Sequence, residues 1–378
     1  MSNAAYRVLH CIRQGAIGGG ESHLIDLIEF CNTEVYEPII LSFSDGAMIE
    51  HFQKKNIKTI VIPTTRPFDP AVVKNVKALL NEIKPTLIHI HGTRAFSNLF
   101  FATLRSKIPI VYTVHGWSFN SSQSMLRRWL AILAETLFCK KATTIINVSA
   151  NNQQTGAKHI IGFRSEVILN GVNLSVFDKT KDYTDIRKEL AIPADSFLIG
   201  FIARLTIQKD PITLIKAFAE FSKKKPNAYL LIVGDGDLKG ESVKLTETLN
   251  VTDRVVFQPF RKDIPAILNT VDVFCLPSLW EGFSIGLLEA MAMGKAVIAT
   301  GVDGTLEILK QKKNGLLIAP NNPMDLASQL DLLYGDLPAR KKLEAEAYST
   351  ITDDFNAEKV SEQVESIYAR LIKSKATT

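Results

Sequence analysis

Two carboxylates frame a turn containing glycine in Glu281-Gly-Phe-Ser-Ile-Gly-Leu-Leu-Glu289, which runs directly into the apolar segment Ala290-Met-Ala-Met-Gly294. The apolar run at 271–278 before it reads as a buried strand, and 296–300 after it reads as the next. The intervening helix therefore starts at the carboxyl end of a parallel strand, where α/β sheets bind ligands. Its unpaired N–H groups and positive dipole end form an anion site. A nucleotide diphosphate suits such a site, with a carboxylate left over to hold sugar or ribose hydroxyls.

Other segments carry weaker signals of the same kind. Arg204 and Lys209 lie five apart, after an apolar run at 197–203 and before a helix opening at Pro211. They can converge on one diphosphate, Arg as a planar fork and Lys as a point charge, or they can simply line a solvated loop. Gly234-Asp235-Gly236 follows another strand, where glycine serves either a tight turn or close approach to a ligand. Asn170-Gly171 has the same ambiguity. The first loop, Gly15 to Glu21, contains Gly18, Gly19 and Gly20 ahead of a helix but lacks G-x-G-x-x-G spacing; its backbone N–H groups could still meet a phosphate. Gly294-Lys295 is followed by Ala296, which argues against a P-loop nucleotidase. His89, His91 and His115 fall at strand ends; His115 should point into a crevice, whereas His91 reads as structural. No His, Cys or Asp set has metal-ligand spacing, and no G-x-S-x-G elbow occurs.

The elements that must position these residues alternate regularly. Strands are expected at 6–12, 38–43, 59–62, 87–91, 108–114 and 144–148, with helices between most of them. A polar stretch at 173–195 reads as a linker. Strands then resume at 197–203, 229–233, 255–258, 271–276, 296–299 and 315–318, with helices near 211–224, 238–250, 284–293, 324–334 and 339–351. This alternation implies parallel sheets covered on both faces, in two Rossmann-like halves. The expected domains are 1–172, 173–355 and a closing amphipathic helix in 356–378 that packs back on the first.

The chain has 378 residues, which suits two domains rather than one. Its longest apolar runs, such as 129–134, are too short to span a membrane, and the start lacks the apolar core of a signal peptide. Four scattered cysteines without a C-x-x-C pair read as free thiols in a reducing cytosol. Net charge is +5, unevenly divided: 18 Lys and Arg against 11 Asp and Glu up to Val172, but 26 against 28 beyond it. Between 51 and 164, sixteen basic residues face only Asp69, Glu82 and Glu135. Such a surface attracts anionic lipid, although solvated helix faces account for it equally well. Trp117, Phe119 and Met125, beside Arg127 and Arg128, could dip into a membrane interface or could equally be core.

Taken in order, Gly18-Gly19-Gly20-Glu21, Val114-His115-Gly116, Asn170-Gly171-Val172, Arg204 with Lys209, Gly234-Asp235-Gly236 and the Glu281/Glu289 pair resemble the retaining GT-B glycosyltransferases of family 4 over nearly the whole chain. Two departures are mild: Ala203 stands where the family has Gly, and Asn173 where Asp is common. The resemblance implies a GT-B fold, two Rossmann-like domains facing a cleft. It implies that Arg204 and Lys209 hold the leaving diphosphate, that Glu289 accepts from the ribose hydroxyls and that Glu281 contacts the donor sugar. Backbone around Phe283, Ser284 and Ile285, with Gly19 and Gly234, would approach phosphates and sugar. His115 would lie beside the transferred sugar, and residues near Arg261 would border the base.

The expected function is transfer of a sugar from a nucleotide diphosphate sugar, UDP-linked in preference to GDP-linked, to a lipid-linked or polysaccharide precursor. No cofactor and no metal are expected, and no nucleic-acid partner. The expected location is cytoplasmic, peripheral on the inner face of the plasma membrane. The rivals are a UDP-sugar 2-epimerase of the same architecture and a non-catalytic nucleotide-sugar-binding subunit.

Overall fold

The structure, a computed structural model, describes residues 5–15, 18–119 and 123–376. The chain forms two compact units: everything up to Gly171 together with the segment from Ala357 onward, and Val172–Asn356. The divisions therefore fall one residue from those expected, at 171/172 and 356/357.

The first unit holds a seven-stranded sheet built from β1 (Tyr6–Ile12), β2 (Tyr36–Ser42), β3 (Lys58–Val61), β4 (Leu87–His91), β5 (Ile110–Val114), β6 (Thr144–Asn147) and β7 (Glu166–Val167). Its order is β3-β2-β1-β4-β5-β6-β7, and every pairing is parallel. Alternate residues of each strand serve opposite faces. On one face Leu9, Ile90 and Tyr112 meet Phe96 and Phe138 from the helices Thr93–Thr103 and Met125–Lys141. On the other, Val8, Leu87 and Val111 meet Val364, Ile367 and Tyr368 of the closing helix Ala357–Ala376. Ser361 of that helix donates to the Leu27 carbonyl at 3.2 Å. The closing segment thus belongs to the first core.

The second unit holds six parallel strands: β8 (Phe197–Ile202), β9 (Ala228–Val233), β10 (Val255–Gln258), β11 (Val273–Leu276), β12 (Ala296–Thr300) and β13 (Leu316–Ile318), in the order β10-β9-β8-β11-β12-β13. The stretch expected as a linker is part of this unit. Ile186 and Ile192 are buried against Leu198, Leu231 and Ile267. Asp272 accepts from Arg187 at 3.3 Å and from the Leu198 N–H at 2.9 Å. Val172 and Asn356 pair as a parallel bridge, so the chain enters and leaves this unit side by side.

Four cysteines are free, three of them buried. No helix among the described residues is long and apolar enough to cross a membrane.

Candidate functional site

In each sheet the strand order reverses beside the first strand: between β1 and β4 in the first unit, and between β8 and β11 in the second. Such reversals open a crevice at the strands' carboxyl ends. The sequence-expected residues gather at these two places.

In the second unit, β8 ends and the chain turns through Arg204 to Lys209 before the helix Pro211–Ser222. This loop is tied to the segment after β11. The Gln208 carbonyl accepts from the Leu279 N–H at 2.7 Å, and the Gln208 amide donates to the Trp280 carbonyl at 3.0 Å. Lys209 Nζ forms an ion pair with Glu281 Oε1, and both side chains are largely buried. Ser278 Oγ donates to the same carboxylate oxygen at 2.6 Å. Asp303 Oδ2 receives the Glu281 N–H at 3.2 Å. Glu281 is therefore held from three sides, and its position fixes the Lys209 ammonium. Arg204 differs: it is exposed, and its side chain has no hydrogen bond or ion pair among the described residues.

Gly234 and Gly236 explain how the loop keeps its course. At φ +140°, a Cβ on Gly234 would lie 2.1 Å from the Ala203 carbonyl oxygen; at φ +156°, one on Gly236 would lie 2.4 Å from that of Leu205. The Leu205 N–H donates to the Asp235 carbonyl at 2.9 Å. The glycines let one backbone press against another, and that contact positions Arg204.

Phe283, Ser284 and Ile285 are buried at the start of the helix Ile285–Ala292. No side chain caps that end, which leaves its first N–H groups for a ligand. A Cβ on Gly304 would lie 2.1 Å from the Gly282 carbonyl oxygen, so the turn after β12 closes directly onto this approach. The Glu289 side chain projects from the same helix without a hydrogen bond or ion pair among the described residues, and burial pushes its carboxyl up to about 7. Arg261 bonds to none of these residues. Its guanidinium donates to both oxygens of Asp263 at 2.9 and 2.6 Å and to Glu189 at 2.5 Å. These two carboxylates hold it charged and engage its donors, so it braces the turn after β10.

In the first unit, the helix Gly19–Glu29 starts beyond β1; Ala16 and Ile17 of the glycine loop lie outside the described residues. A Cβ on Gly20 would sit 3.5 Å from the His115 ring. The loop and His115, the residue after β5, thus come together. His115 stacks on His91 with centroids 5.8 Å apart and meets the edge of His23 at 5.2 Å. Burial lowers His115 to about 3 and His23 to about 4, so both rings are neutral. His115 Nε2 is buried without a partner.

Sequence spacing placed His89 and His91 at strand ends but did not single out His10 or His23. His10 and His89 are register partners on β1 and β4, and His10 Nδ1 lies 3.3 Å from His91 Nε2. His89 is held by Tyr368 at 2.6 Å and by Thr113 at 2.7 Å. His10, His89 and His91 form a grouping that could hold a metal, although both ring nitrogens of His89 are already engaged. Ser278, Asp303 and Gly304 were also missed; a strand-end Ser and an Asp-Gly turn carry no distinctive signal alone.

Two family models tile most of the chain, Glycosyltransferase Family 4 over residues 17–176 and Glycosyl transferases group 1 over 182–350. The chain belongs to the family 4 glycosyltransferases. Over 99% of both chains it is 24% identical to the Escherichia coli UDP-Gal:alpha-D-GlcNAc-diphosphoundecaprenol alpha-1,3-galactosyltransferase. It is 25% identical to the Staphylococcus aureus capsular polysaccharide biosynthesis glycosyltransferase CapM, over 92% of this chain and 93% of that one. The crystal structure of Anabaena HepE with UDP and glucose superposes with a TM-score of 0.85 at 24% identity, covering 97% of this chain and all of the other. The two parallel sheets are those of a GT-B glycosyltransferase, and the chain is a transferase whose relatives build bacterial surface polysaccharides.

Proposed function

We propose that this glycosyltransferase moves a hexose from a UDP-sugar, with retention, to a hydroxyl of a saccharide carried on a lipid diphosphate. The observation that carries this reading is the arrangement beside β8 and β11: an unpartnered Arg204, a Lys209 fixed by Glu281, and an uncapped helix end. Cleaving a sugar–phosphate bond builds negative charge on the diphosphate. Fixed cations and backbone N–H groups stabilise that charge without a metal. Glu289 then takes the ribose hydroxyls, and His115, neutral and with a free nitrogen, hydrogen-bonds a sugar hydroxyl. The acceptor hydroxyl attacks from the face the diphosphate leaves, and the departing phosphate oxygen takes its proton.

A second pair of cations supports an acceptor bearing phosphate. Arg13 follows β1, exposed and without an ion pair among the described residues. Arg94 follows β4, its guanidinium donating to the Thr65 carbonyl at 3.0 Å. Partial burial, and then the charge of Arg13, lower the Arg94 pKa. Two like charges held near one another beside a sheet reversal suit an anion. The names of relatives point the same way: one acts on a diphosphoundecaprenol-linked sugar, and the HepE complexes contain UDP.

The test is to incubate the purified protein with a panel of UDP- and GDP-sugars, with and without a synthetic lipid diphosphate saccharide. Transfer that needs the acceptor, from a UDP-sugar, with the product's anomeric configuration matching the donor's, is the expected result. An epimerised donor formed without acceptor would replace this reading with an isomerase.

A further inference from the structure

The helix Met125–Lys141 presents an apolar face outward. Its inward side consists of Glu135, Phe138 and Cys139, all buried. Leu126, Trp129, Leu130, Leu133 and Leu137 are exposed, between 43% and 68%. Steps of three and four place them on one stripe along the helix. Exposed Phe68 and Phe101 form a separate apolar pair, their rings 6.0 Å apart. Soluble surfaces rarely leave so much large apolar side chain open unless something covers it.

The charges around the stripe say what covers it. Arg127 and Lys140 are exposed on the same helix. Lys141 donates to the Ser106 carbonyl at 3.0 Å, which brings the turn with exposed Arg105 and Lys107 against the helix's end. None of these four cations has an ion pair among the described residues. The helix's one carboxylate, Glu135, faces inward. A second copy seated on this stripe about a two-fold axis would set these cations against each other. An anionic lipid surface satisfies both features, taking leucines and tryptophan at the acyl boundary and cations at the headgroups.

We propose that this stripe, ringed by Arg105, Lys107, Arg127 and Lys140, seats the protein on an anionic bilayer. The residues expected from sequence for this role are mostly interior. Phe119 is buried, and Trp117 packs on Phe163 while donating to the Asn152 carbonyl at 2.7 Å; of the three, only Met125 is fully outward. The docking helix also holds the loop that carries His115. Glu135 accepts from Thr93 at 2.6 Å, Tyr112 at 2.9 Å and Ser118 Oγ at 2.8 Å. Docking would therefore bring that loop close to the lipid surface. The proposal deepens the lipid-linked-acceptor reading and rests on it for its purpose, but its test needs neither donor nor acceptor.

The experiment is co-sedimentation of the whole protein with phosphatidylcholine vesicles containing phosphatidylglycerol, against phosphatidylcholine alone, at low and high salt. Binding to the anionic vesicles at low salt is expected, with a blue-shifted tryptophan emission that Trp129→Phe removes. Leu130→Glu with Leu133→Glu should weaken binding by at least about tenfold. Arg127→Ala with Lys140→Ala should weaken it by roughly fivefold per charge, on anionic vesicles only. All four positions face outward, so a circular dichroism spectrum and an unfolding midpoint equal to those of the parent protein check that each variant is folded. Absence of pelleting at low salt, or full binding by the double Glu variant, overturns the proposal. So does a dimer in sedimentation velocity that the Glu pair dissociates. A protein that docks but transfers to no lipid-linked saccharide would keep this surface and remove the acceptor reading.

Discussion

UDP binding should expel a proton from Glu289. Its carboxyl stands at about 7 rather than 4.5, and the cause is burial without a partner. Ribose hydroxyls donating to the carboxylate would favour the ionised form and return the pKa toward its ordinary value. With a free-state pKa near 7, about half the molecules carry the proton at pH 7, and binding sheds about 0.5 proton per UDP. At pH 6 the figure rises to about 0.9, and at pH 8 it falls to about 0.1. By the same linkage, UDP affinity should improve about tenfold between pH 6 and pH 8.

Calorimetry in buffers of different ionisation enthalpy measures the released protons directly. UDP has a titrating phosphate of its own, so the quantity of interest is the difference between the parent protein and Glu289→Gln. Equal proton release by the two, or a parent Kd flat from pH 6 to pH 8 once that baseline is removed, would refute the assignment. The free protein offers an independent check. A carboxyl raised in the folded state contributes stability below its unfolded pKa, near 4.5, and loses it as pH rises through 7. Glu289→Gln should accordingly gain Tm on the parent at pH 8 relative to pH 5.

Three further outcomes are expected. Lys209→Ala should lower kcat by about 10²–10³ while the KM for the intact UDP-sugar changes much less, because its charge acts on the diphosphate as it leaves; unchanged turnover in a folded variant would remove that role. Gly234→Ala forces a Cβ to 2.1 Å from the Ala203 carbonyl oxygen at φ +140°, and should cost about 3 kcal/mol or more of second-unit stability, read as a drop in its unfolding midpoint. Activity should survive EDTA; loss that added metal restores would direct attention to His10, His89 and His91.

The strands were largely legible because a parallel sheet covered on both faces requires near-continuous apolar runs, as at β4, β8 and β11. The Glu281 and Glu289 spacing was legible because it spans one strand-to-helix turn. The histidine stack was not, since β1 and β4 are neighbours only through sheet order and their residues lie about eighty positions apart. The stretch 173–195 looked like a linker because just a few apolar residues, Ile186 and Ile192 among them, tie it to the core. The outward stripe of the helix Met125–Lys141 was hidden for a related reason. Periodicity locates a stripe but not the side it faces. Here the deciding contacts, from Thr93, Tyr112 and Ser118 to Glu135, come from three other elements.

The neutral histidines and the protonated glutamate together reverse the usual attribution of a pH profile. A limb of activity near pH 6.5–7 is ordinarily assigned to histidine. In this protein burial holds His10 and His115 at about 3 and His23 at about 4, with His89 and His91 well below their usual value. His10, His23 and His115 therefore keep their charge between pH 5 and pH 8, and burial favours the neutral form of His89 and His91. Glu289 changes charge in that range, and in the proposed role it must be ionised to accept from the donor's ribose. The donor kcat/KM should therefore fall toward acid pH with a midpoint near 7, approaching tenfold per unit well below it. Glu289→Gln should flatten that limb at a lower plateau. His115→Gln should lower kcat and leave the limb where it was, because its ring contributes a hydrogen bond and not a charge. A limb that vanishes with His115→Gln and persists in Glu289→Gln would mean that the histidine stack is open to water during turnover, and the assignment of both residues would have to be exchanged.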